Sequence, residues 1–507
     1  MSQPTDIPAG QGNAFDQVLK VAFELHNAGR HADAEAMCRV LLRVNPQDGQ
    51  LLFLLGMVLQ KLDRHGEALK CLEQAAEVQP QSARIFNAMG FVHQSLRDYT
   101  RAIEHYQKAI ALGLRTADVY YSLGNAQYNL GDLETAIESF QQAVKLKPHD
   151  IASWNNLGKC FGDIGCLPES ITAYDRAIAI DPAYGMAHYG RAISLLTAGR
   201  LPEGFREYNE WRFYRIERRE FPQPLWQGEP IPGKTLFLHA EQGFGDAIQY
   251  ARLIRFARDR AAKVILECRP ELKALFAHSN IADEVIAFGE KIPPFDYYNS
   301  LVSLPGILGL TLQTIPNPVP YLKPGEGPIL PDLLGSARCA DPVAERSVRR
   351  RNEPPKRIGL AWAGNPMHHN NAARSMRLEN LAPLLEIPNT IFFSLQKIIP
   401  DQDRNILEGL SGLVDLSGQM TDFLATSAVV AQLDLVIAVD TAAAHLAGAL
   451  AKPVWLLLPF SPDWRWLRDR ADSPWYPTMR LFRQPQRNQW EPVIKRVAEE
   501  LQKFQAS

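Results

Sequence analysis

Small and aromatic positions recur every 34 residues along the first 200 residues of the chain. The markers of this repeat are Gly56, Gly90, Gly124 and Gly158; Ala68, Ala102 and Ala136; Ala75, Ala109, Ala143 and Ala177; and Pro46, Pro80, Pro148 and Pro182. Tyr106, Phe140 and Tyr174 follow the same period. The pattern predicts helical pairs in which small residues let two helices approach, an aromatic ring fills the space between them, and proline ends the second helix.

This period and these residues resemble the tetratricopeptide repeat (TPR), a helix–turn–helix unit of 34 residues. We predict full repeats at 15–48, 49–82, 83–116, 117–150 and 151–184. A degenerate sixth repeat carries Ala192, Gly204, Tyr208 and Trp211 in the matching positions. The sequence therefore predicts a TPR α-solenoid over residues 15–218, after a disordered N-terminus at 1–14.

The first helices of stacked repeats are expected to line a concave groove. Their inward positions are Phe53, Met57, Asn87, Phe91, Tyr121, Asn125, Tyr128, Asn129, Asn155 and Lys159. One interpretation is a groove for an extended or helical polypeptide, in which aromatic rings hold side chains and amides bond peptide groups. The alternative is that these side chains are solvated or pack between repeats.

The second half of the chain alternates between apolar strands and helical patterns. A Pro- and Gly-rich linker at 219–233 leads to a first lobe at 234–340, an interlobe linker at 341–356 and a second lobe at 357–507. The predicted strands are 235–240, 263–268, 284–288, 357–364, 390–396, 413–417, 434–440 and 453–459. Alternation of this kind predicts parallel sheets, and two Rossmann-like lobes in tandem place a cleft where their strand ends converge.

Charge and hydropathy narrow the class of protein. Lys and Arg total 54 against 56 Asp and Glu, a formal net charge of −2, which argues against a nucleic-acid-binding protein. No apolar run reaches the roughly 18 residues of a membrane span, and the N-terminus does not resemble a secretory signal. We therefore expect a cytoplasmic protein without a membrane span. The six cysteines form no C-x-x-C pair, so no zinc site is expected.

The first candidate for chemistry is the loop HAEQGFGDAIQ, which follows a strand and opens a helix. Gly243 and Gly245 allow a ligand to approach the backbone, and the start of a helix attracts negative charge. Asp246 is placed to take a proton from an acceptor hydroxyl. The alternative for Asp246 is a helix-capping residue.

The second candidate is the segment DLVIAVDTAAAHLAGAL. A strand ends at Asp440, and Thr441, Ala442 and Ala443 form the turn into a helix of small residues. Such a turn leaves amide groups open to a diphosphate, and His445 is one turn further along the helix. The alternative is close helix–sheet packing around a core histidine.

The third candidate is the loop AWAGNPMHHNNAARSMRLENL, where Arg374 could neutralise a leaving diphosphate. The His368–His369 pair lacks metal-site spacing, so we expect no metal. Asp401 and Asp403 spell D-x-D, but capping of a helix start explains them better. For the aromatic–basic loop at 460–467, which contains Trp464, Arg465 and Trp466, the sequence leaves cleft lining and lobe packing open.

Together, GDAIQ and DTAAAHLAGAL resemble the two signatures of the heptosyltransferase-type glycosyltransferases of family 9, which have the GT-B fold. The resemblance covers about 234–500 and departs from the usual D-[ST]-G-x-x-H at Ala442. It implies that Asp246 is the catalytic base, that Arg374 contacts the diphosphate, and that Thr441 and His445 match the diphosphate-binding helix start. Gln396 and Lys397, together with Asn365 in the preceding loop, are candidates to flank the nucleotide.

A TPR array fused to a GT-B module is similar to protein O-glycosyltransferases, including bacterial enzymes that modify flagellin. The resemblance implies inverting, metal-independent transfer of a sugar from a nucleotide sugar to a hydroxyl of a protein held by the TPR groove, without a cofactor. The nucleotide stays open among CMP, UDP and ADP. Two alternatives remain: transfer to lipopolysaccharide or another glycan, with the repeats used for assembly, and a TPR scaffold with a non-catalytic GT-B module.

Overall fold

The computed structural model describes residues 11–214, 217–327, 330, 354–367, 371–409 and 412–505. The chain divides into two compact units, Met1–Arg191 and Ala192–Ser507. Of the segment 1–14 that was predicted to be disordered, residues 11–14 begin the first helix. Residues 1–10 and most of the predicted interlobe linker at 341–356 lie outside the described residues.

The N-terminal region is a series of helical pairs. Its helices are α1 (Gln11–Asn27), α2 (His31–Val44), α3 (Gly49–Lys61), α4 (His65–Val78), α5 (Ala83–Ser95), α6 (Tyr99–Ala111), α7 (Ala117–Leu130), α8 (Leu133–Leu146), α9 (Ile151–Ile164), α10 (Leu167–Ile180), α11 (Gly185–Thr197) and α12 (Leu201–Trp211). Helices α3, α5, α7 and α9 start at the first residues of predicted repeats, at 49, 83, 117 and 151. Helix α11 starts at residue 185, directly after the last full repeat. The helical TPR solenoid is therefore confirmed.

Glycine and aromatic residues hold each pair together. A Cβ atom added to Gly90 would lie 2.8 Å from the ring of Tyr106, and one added to Gly124 would lie 2.9 Å from the ring of Phe140. The rings of Tyr106 and Phe140 are fully buried. The predicted role of the aromatic position is confirmed, because these rings fill the space that the glycines leave between helices.

The helix ends are set by residues outside the packed faces. Helices α2, α4, α8 and α10 each end two residues before a proline of the repeat pattern. At several helix starts an aspartate caps the first turn: the side chain of Asp48 accepts hydrogen bonds from the amides of Gln50 and Leu51, both at 3.0 Å. Proline and capping aspartate together fix the register of each pair.

The sixth repeat is divided between the two units. The unit boundary falls inside α11, and α12 belongs to the unit Ala192–Ser507, although the predicted TPR region continued to residue 218. In α12 the buried Phe205 lies 3.2 Å from a Cβ atom added to Gly306, and Asn209 Nδ2 donates to the Ser303 carbonyl at 3.1 Å. The helix therefore packs on the α/β region that follows it.

The α/β region contains two parallel sheets. The first has the order β3-β2-β1-β4, with β1 (Ile231–His239), β2 (Ala261–Cys268), β3 (Glu284–Ala287) and β4 (Tyr297–Ser300). Its helices are α13 (Phe244–Ala251), α14 (Ile254–Arg258), α15 (Pro270–His278) and α16 (Leu304–Ile307). The predicted linker at 219–233 is partly built into this sheet, since Leu225 pairs with Tyr298 and Trp226 is fully buried.

The second sheet has the order β10-β9-β8-β5-β6-β7. When β5 to β10 are renumbered 1 to 6 and the sheet is followed from β7 to β10, this is the 3-2-1-4-5-6 order of a Rossmann sheet. Its strands are β5 (Lys356–Ala361), β6 (Thr390–Ser394), β7 (Leu413–Asp415), β8 (Leu435–Val439), β9 (Val454–Leu458) and β10 (Met479–Arg483). Its helices are α17 (Asn371–Arg374), α18 (Ala382–Leu385), α19 (Asp401–Gly409), α20 (Phe423–Ala431), α21 (Ala442–Ala449) and α22 (Glu491–Gln505). Strands β8 and β9 are buried along their whole length, as expected for central parallel strands.

Three details differ from the sequence-based expectation. The helix that the first candidate loop opens is followed at once by a second, so that α13 and α14 are separated at Arg252, whose Nε donates to the Gln249 carbonyl at 3.0 Å. Strands β4 and β10 were not predicted.

Within the residues that the structure describes, no helix has the length and apolar character needed to cross a bilayer.

Candidate functional site

Asp246 lies in the first turn of α13, directly after the loop that leaves β1. Its Oδ2 atom accepts a hydrogen bond from the Gly243 amide at 3.2 Å, so the carboxylate reaches back to the residue that precedes the helix. Its Oδ1 atom accepts a second hydrogen bond, from Arg465 Nη2 at 2.8 Å. One oxygen of Asp246 is therefore used at the helix start, as the capping alternative expects. The other oxygen is used in an ion pair with Arg465, which follows a strand of the second sheet.

Arg465 lies in a short 3-10 turn after β9 and is largely buried. It also donates to Asp463 at 2.8 Å, so one guanidinium serves two carboxylates. Burial acts to lower the pKa of Arg465, but Asp463 and Asp246 outweigh it and raise that pKa well above its ordinary value. Burial raises the pKa of Asp463. Arg465 is therefore a fixed positive charge beside the predicted base.

His445 lies in α21 and is buried, with 2 % of its surface exposed. Its Nδ1 atom lies 2.9 Å from the Tyr476 hydroxyl, and its Nε2 atom lies 3.5 Å from Asp440 Oδ1. Asp440 also accepts from the Trp466 indole at 2.9 Å. Burial acts to raise the pKa of Asp440, but the hydrogen bond with His445 and that histidine's charge hold it below the ordinary value. The core-histidine alternative describes these contacts, since both ring nitrogens have a partner.

The two predicted signatures meet at Gly245. A Cβ atom at this position would lie 2.8 Å from His445 Cδ2, so the backbone of α13 rests directly on the imidazole ring. The ring is held on its other sides by Tyr476 and Asp440 and cannot move aside. Glycine at 245 is therefore required for close approach rather than for a special backbone angle.

Thr441 precedes α21 and leaves its hydroxyl without a partner. The Oγ1 atom is inaccessible to solvent and, within the described part of the chain, makes no hydrogen bond, and it does not cap its own helix. Ala442 and Ala443 begin the helix and are half-buried. A helix start with small side chains leaves its amide groups for an anion, whereas the buried Thr441 hydroxyl must become accessible before it can contact one.

Arg374 lies in α17, on the long loop after β5. Its guanidinium packs on the backbone at Gly364, where a Cβ atom would lie 2.6 Å from Nε. That Nε atom is buried and has no hydrogen bond among the described residues. Asn365 is exposed and its Oδ1 accepts from the Met367 amide at 3.0 Å. His368 and His369 lie outside the described residues.

The remaining nucleotide candidates have structural partners. Gln396 is buried, and its amide accepts from the Ala363 amide and donates to the carbonyls of Ala363 and Ile398. Its donors are therefore not available to a base. Lys397 Nζ donates to the Ser417 carbonyl at 3.0 Å on the surface.

The D-x-D pair does not act as a pair. Asp403 is fully buried and accepts from the Trp362 indole at 2.8 Å and the Leu378 amide at 3.3 Å, whereas Asp401 is exposed and bonds Arg404. Asp403 thus fixes the segment after α17 instead of capping a helix start. No group of three His, Cys, Asp or Glu side chains in the described part of the chain is placed to hold a metal ion.

The predicted groove positions of the TPR region fall into two groups. Phe91 is 44 % exposed, and Lys159 Nζ lies 4.4 Å from the ring centroid of Tyr128, whose hydroxyl bonds Asp163 at 2.7 Å. Asn125 Oδ1 accepts from Asn156 at 2.8 Å. The contacts of Asn125, Tyr128 and Lys159 form a connected polar and aromatic surface on α7 and α9, and Phe91 adds an exposed ring on α5.

Other groove positions belong to the packed interior. Asn155 is buried, with 5 % exposed, so its prediction as a groove residue is wrong; the neighbouring Asn156 makes the contact between repeats. Phe53 and Met57 pack against the core of the first repeats, and Tyr121 packs edge-on to Phe140. Asn87 is half-buried. The packing alternative holds for this group because the helices tilt these positions towards their neighbours.

Sequence reasoning did not identify Arg465, Asp463, Asp440 or Tyr476 as partners of the candidate residues. The only sequence signal was the order aspartate, tryptophan, arginine, tryptophan after an apolar strand. That order marks a strand end, where functional side chains of parallel sheets collect. It does not say which carboxylate of the first sheet's region the arginine meets.

Comparison with known proteins supports the repeats. Residues 87–151 and 156–218 match one tetratricopeptide repeat model, and residues 47–112 match a second. The curated protein FlbA of Caulobacter vibrioides is 28 % identical over 352 residues, which is 64 % of this chain and 56 % of that protein. The chain thus spans about half the length of the curated relative that it matches.

Three solved structures are similar to part of the chain. YrrB, described as a TPR protein with an unusual peptide-binding site, is 19 % identical and covers 36 % of this chain and 93 % of its own, with a TM-score of 0.33. MamA is 22 % identical over 32 % of this chain and 95 % of its own, with a TM-score of 0.31. PilF of Pseudomonas aeruginosa is 14 % identical and covers 41 % of this chain and 95 % of its own, with a TM-score of 0.37.

Proposed function

We propose that this protein is an inverting, metal-independent glycosyltransferase of the GT-B type that moves a sugar from a nucleotide sugar to a hydroxyl of a protein. The observation that carries the proposal is the contact at Gly245, which brings Asp246 and the start of α21 together. One element offers a carboxylate and the other a helix start with an unused hydroxyl. These are the groups that a base and a phosphate site require.

In this mechanism Asp246 accepts the proton of the acceptor hydroxyl while the sugar inverts. The amides at Thr441, Ala442 and Ala443 and the helix dipole of α21 stabilise the departing phosphate. Arg465 bonds the oxygen of Asp246 that the Gly243 amide does not, and so fixes the orientation of the carboxylate. His445 acts as a positioning residue, since its ring supports the backbone at Gly245.

The TPR region supplies the acceptor-binding surface in this proposal. TPR repeats are typical protein-binding modules, and the surface around Phe91, Asn125, Tyr128 and Lys159 combines exposed aromatic and polar groups. A flagellin is the acceptor that the resemblance to TPR-containing glycosyltransferases favours.

The proposal is tested with Asp246→Asn. The variant keeps an oxygen for the Gly243 amide but loses the base, so we expect transfer to fall about 100-fold or more. Purified protein is incubated with flagellin and a panel of UDP-, ADP-, GDP- and CMP-sugars, and the mass of the acceptor is measured. Asp401→Asn is the matched control, since Asp401 is exposed and bonds only a surface arginine.

Two outcomes would replace the proposal. Near wild-type sugar transfer by Asp246→Asn would show that Asp246 is not the catalytic base. Absence of binding to every nucleotide in calorimetry, together with absence of transfer, would favour a TPR scaffold with a non-catalytic α/β region.

A further inference from the structure

A second cavity lies in the α/β region, outside the site around Asp246. Its volume is about 560 Å³, and it lies at the carboxyl ends of β1 and β4, beside α12. This volume is within the range of sites for small ligands. Its walls come from α12, from the segment that follows it, and from the sheet edge, so it depends on the helix that the repeat pattern assigned to the solenoid.

Four arginines line this cavity, and carboxylates fix two of them. Arg212 is buried and pairs with Glu241 at 2.8 Å, and Arg219 pairs with the buried Glu267 of β2. Arg206 and Arg218 are exposed. Arg218 is 4.0 Å from Glu220, and Arg206 has no ion pair within the described residues. Arg212 and Arg219 are therefore neutralised by their partners, and the positive groups left to meet a ligand are Arg206 and Arg218 on the exposed side of the cavity.

His239, the last residue of β1, also lines the cavity. It is 4 % exposed, and among the described residues its ring nitrogens make no hydrogen bond; Nδ1 lies 3.8 Å from Glu241 Oε2. A buried polar ring without a partner is costly unless a ligand or water completes it. Burial lowers the pKa of His239 to about 4, so the ring is neutral and can both donate and accept at neutral pH.

The base of the cavity is rigid. Ser303 Oγ accepts from Arg212 Nη2 at 2.9 Å, and Asn299 Nδ2 donates to the Trp226 carbonyl at 2.7 Å. Arg212 and Arg219 are thereby held in place before any ligand binds, whereas Arg206 and Arg218 keep the freedom to close on one.

We propose that this cavity binds a small ligand that carries a phosphate or carboxylate group, with Arg206 and Arg218 on the anionic group and His239 bonded to the body of the ligand. The lining shares none of the residues assigned to the proposed transfer chemistry, and binding here does not require that chemistry. Guanidinium groups suit both anions because they donate paired hydrogen bonds to planar or tetrahedral oxygens.

The test is calorimetric titration of the full chain with inorganic pyrophosphate and with citrate, which distinguish phosphate from carboxylate recognition. We expect one or both to bind. The double variant Arg206→Gln/Arg218→Gln should bind at least about tenfold more weakly, because it removes the charged hydrogen bonds to the anionic group. His239→Phe should weaken binding of the same probe, and the new ring would join the cluster of Phe221 and Phe237.

The matched control is Arg200→Gln/Arg255→Gln, which removes two positive charges outside the cavity lining. Equal weakening by this control and by Arg206→Gln/Arg218→Gln would mean that the anions respond to overall charge, and would overturn the proposal. Absence of binding by both probes to the intact protein would overturn it as well. The measurement involves no sugar transfer, so its outcome is independent of the Asp246 test.

Discussion

The two compact units differ in how far apart along the chain their contacting residues lie. In the TPR unit, four close approaches join a glycine to a residue 16 positions later: Gly56 to Leu72, Gly90 to Tyr106, Gly124 to Phe140, and Gly158 to Tyr174. In the α/β unit, Asp246 and Arg465 are 219 positions apart, and each contact of this kind occurs once.

The difference teaches where each unit is robust. A repeated local contact can be lost in one repeat while its neighbours keep theirs, because stability in such arrays is close to a sum over repeats and their interfaces. A contact between distant segments has no equivalent elsewhere, so its loss affects every element that it joins.

The largest effect is expected from Phe140→Ala in the TPR unit. The ring is fully buried against Gly124 and Tyr121, and its removal leaves a cavity that should cost about 4 kcal/mol of unfolding free energy. Hydrogen exchange should show lost protection in α7 to α10, while α3 and α4 keep theirs.

The control for Phe140→Ala is Phe91→Ala, which truncates an aromatic ring that is 44 % exposed and should change stability by about 0.5 kcal/mol or less. If Phe140→Ala removes protection from α3 and α4 to the same extent as from α7 to α10, the TPR unit unfolds as one body, and the contrast between the units is lost.

Most of the TPR unit could be predicted from the sequence because its contacts repeat. The period placed the starts of α3, α5, α7 and α9 correctly and assigned Tyr106, Phe140 and Tyr174 to the space between helices. The orientation of individual groove positions could not be obtained this way. Asn155 and Asn156 are adjacent, and only the helix packing decides that Asn155 is the buried one.

In the α/β unit the sequence predicted the apolar strands and missed what tertiary contacts decide. Strand β4 has the sequence YYNS, which lacks an apolar run, and it forms because Leu225, Trp226 and β1 pair with it. The two signatures were predicted to face one cleft, and Gly245 and His445 do meet. That Arg465 bonds Asp246 could not be foreseen, because nothing local relates residues so far apart.

A second, smaller effect compares the same ion-pair chemistry in the two units. Arg465→Gln leaves Asp246 and Asp463 without their buried counter-charge, and we expect a loss of about 3 kcal/mol. Arg64→Gln, in the TPR unit, removes an arginine that pairs with Glu35 and Glu67 on the surface, and should leave the unfolding midpoint unchanged.

Urea unfolding of both variants measures this contrast. Hydrogen exchange in Arg465→Gln should rise both in α13 and in the turn around Asp463, since the arginine joins them. An unchanged midpoint for Arg465→Gln would show that solvent reaches this pair, and that the ion pairs of the two units are equivalent.

The smallest effect is a pH dependence that belongs to β1. Burial lowers the pKa of His239 from 6.5 to about 4, with Arg219 and Arg212 acting in the same direction and Glu241 against it. The folded protein therefore keeps the ring neutral at pH values where the unfolded chain protonates it. The contribution of the neutral His239 ring to the free energy of unfolding is fully present above pH 6.5 and falls as the pH drops towards 4. Between pH 7 and pH 5 we therefore expect the free energy of unfolding to fall by about 2 kcal/mol.

His239→Phe separates this loss from other titrations, because the variant has no proton to bind at this position. Burial also lowers the pKa values of His26, His93 and His105 in the TPR unit, so the wild-type protein should lose protection there too on acidification. From pH 7 to pH 5, the hydrogen-exchange free energy of the β1 amides should fall more in the wild type than in His239→Phe. In the TPR unit, the two proteins should lose protection equally. If the two proteins follow parallel curves from pH 7 to pH 5, His239 is hydrated through the arginine-lined cavity and carries no depressed pKa.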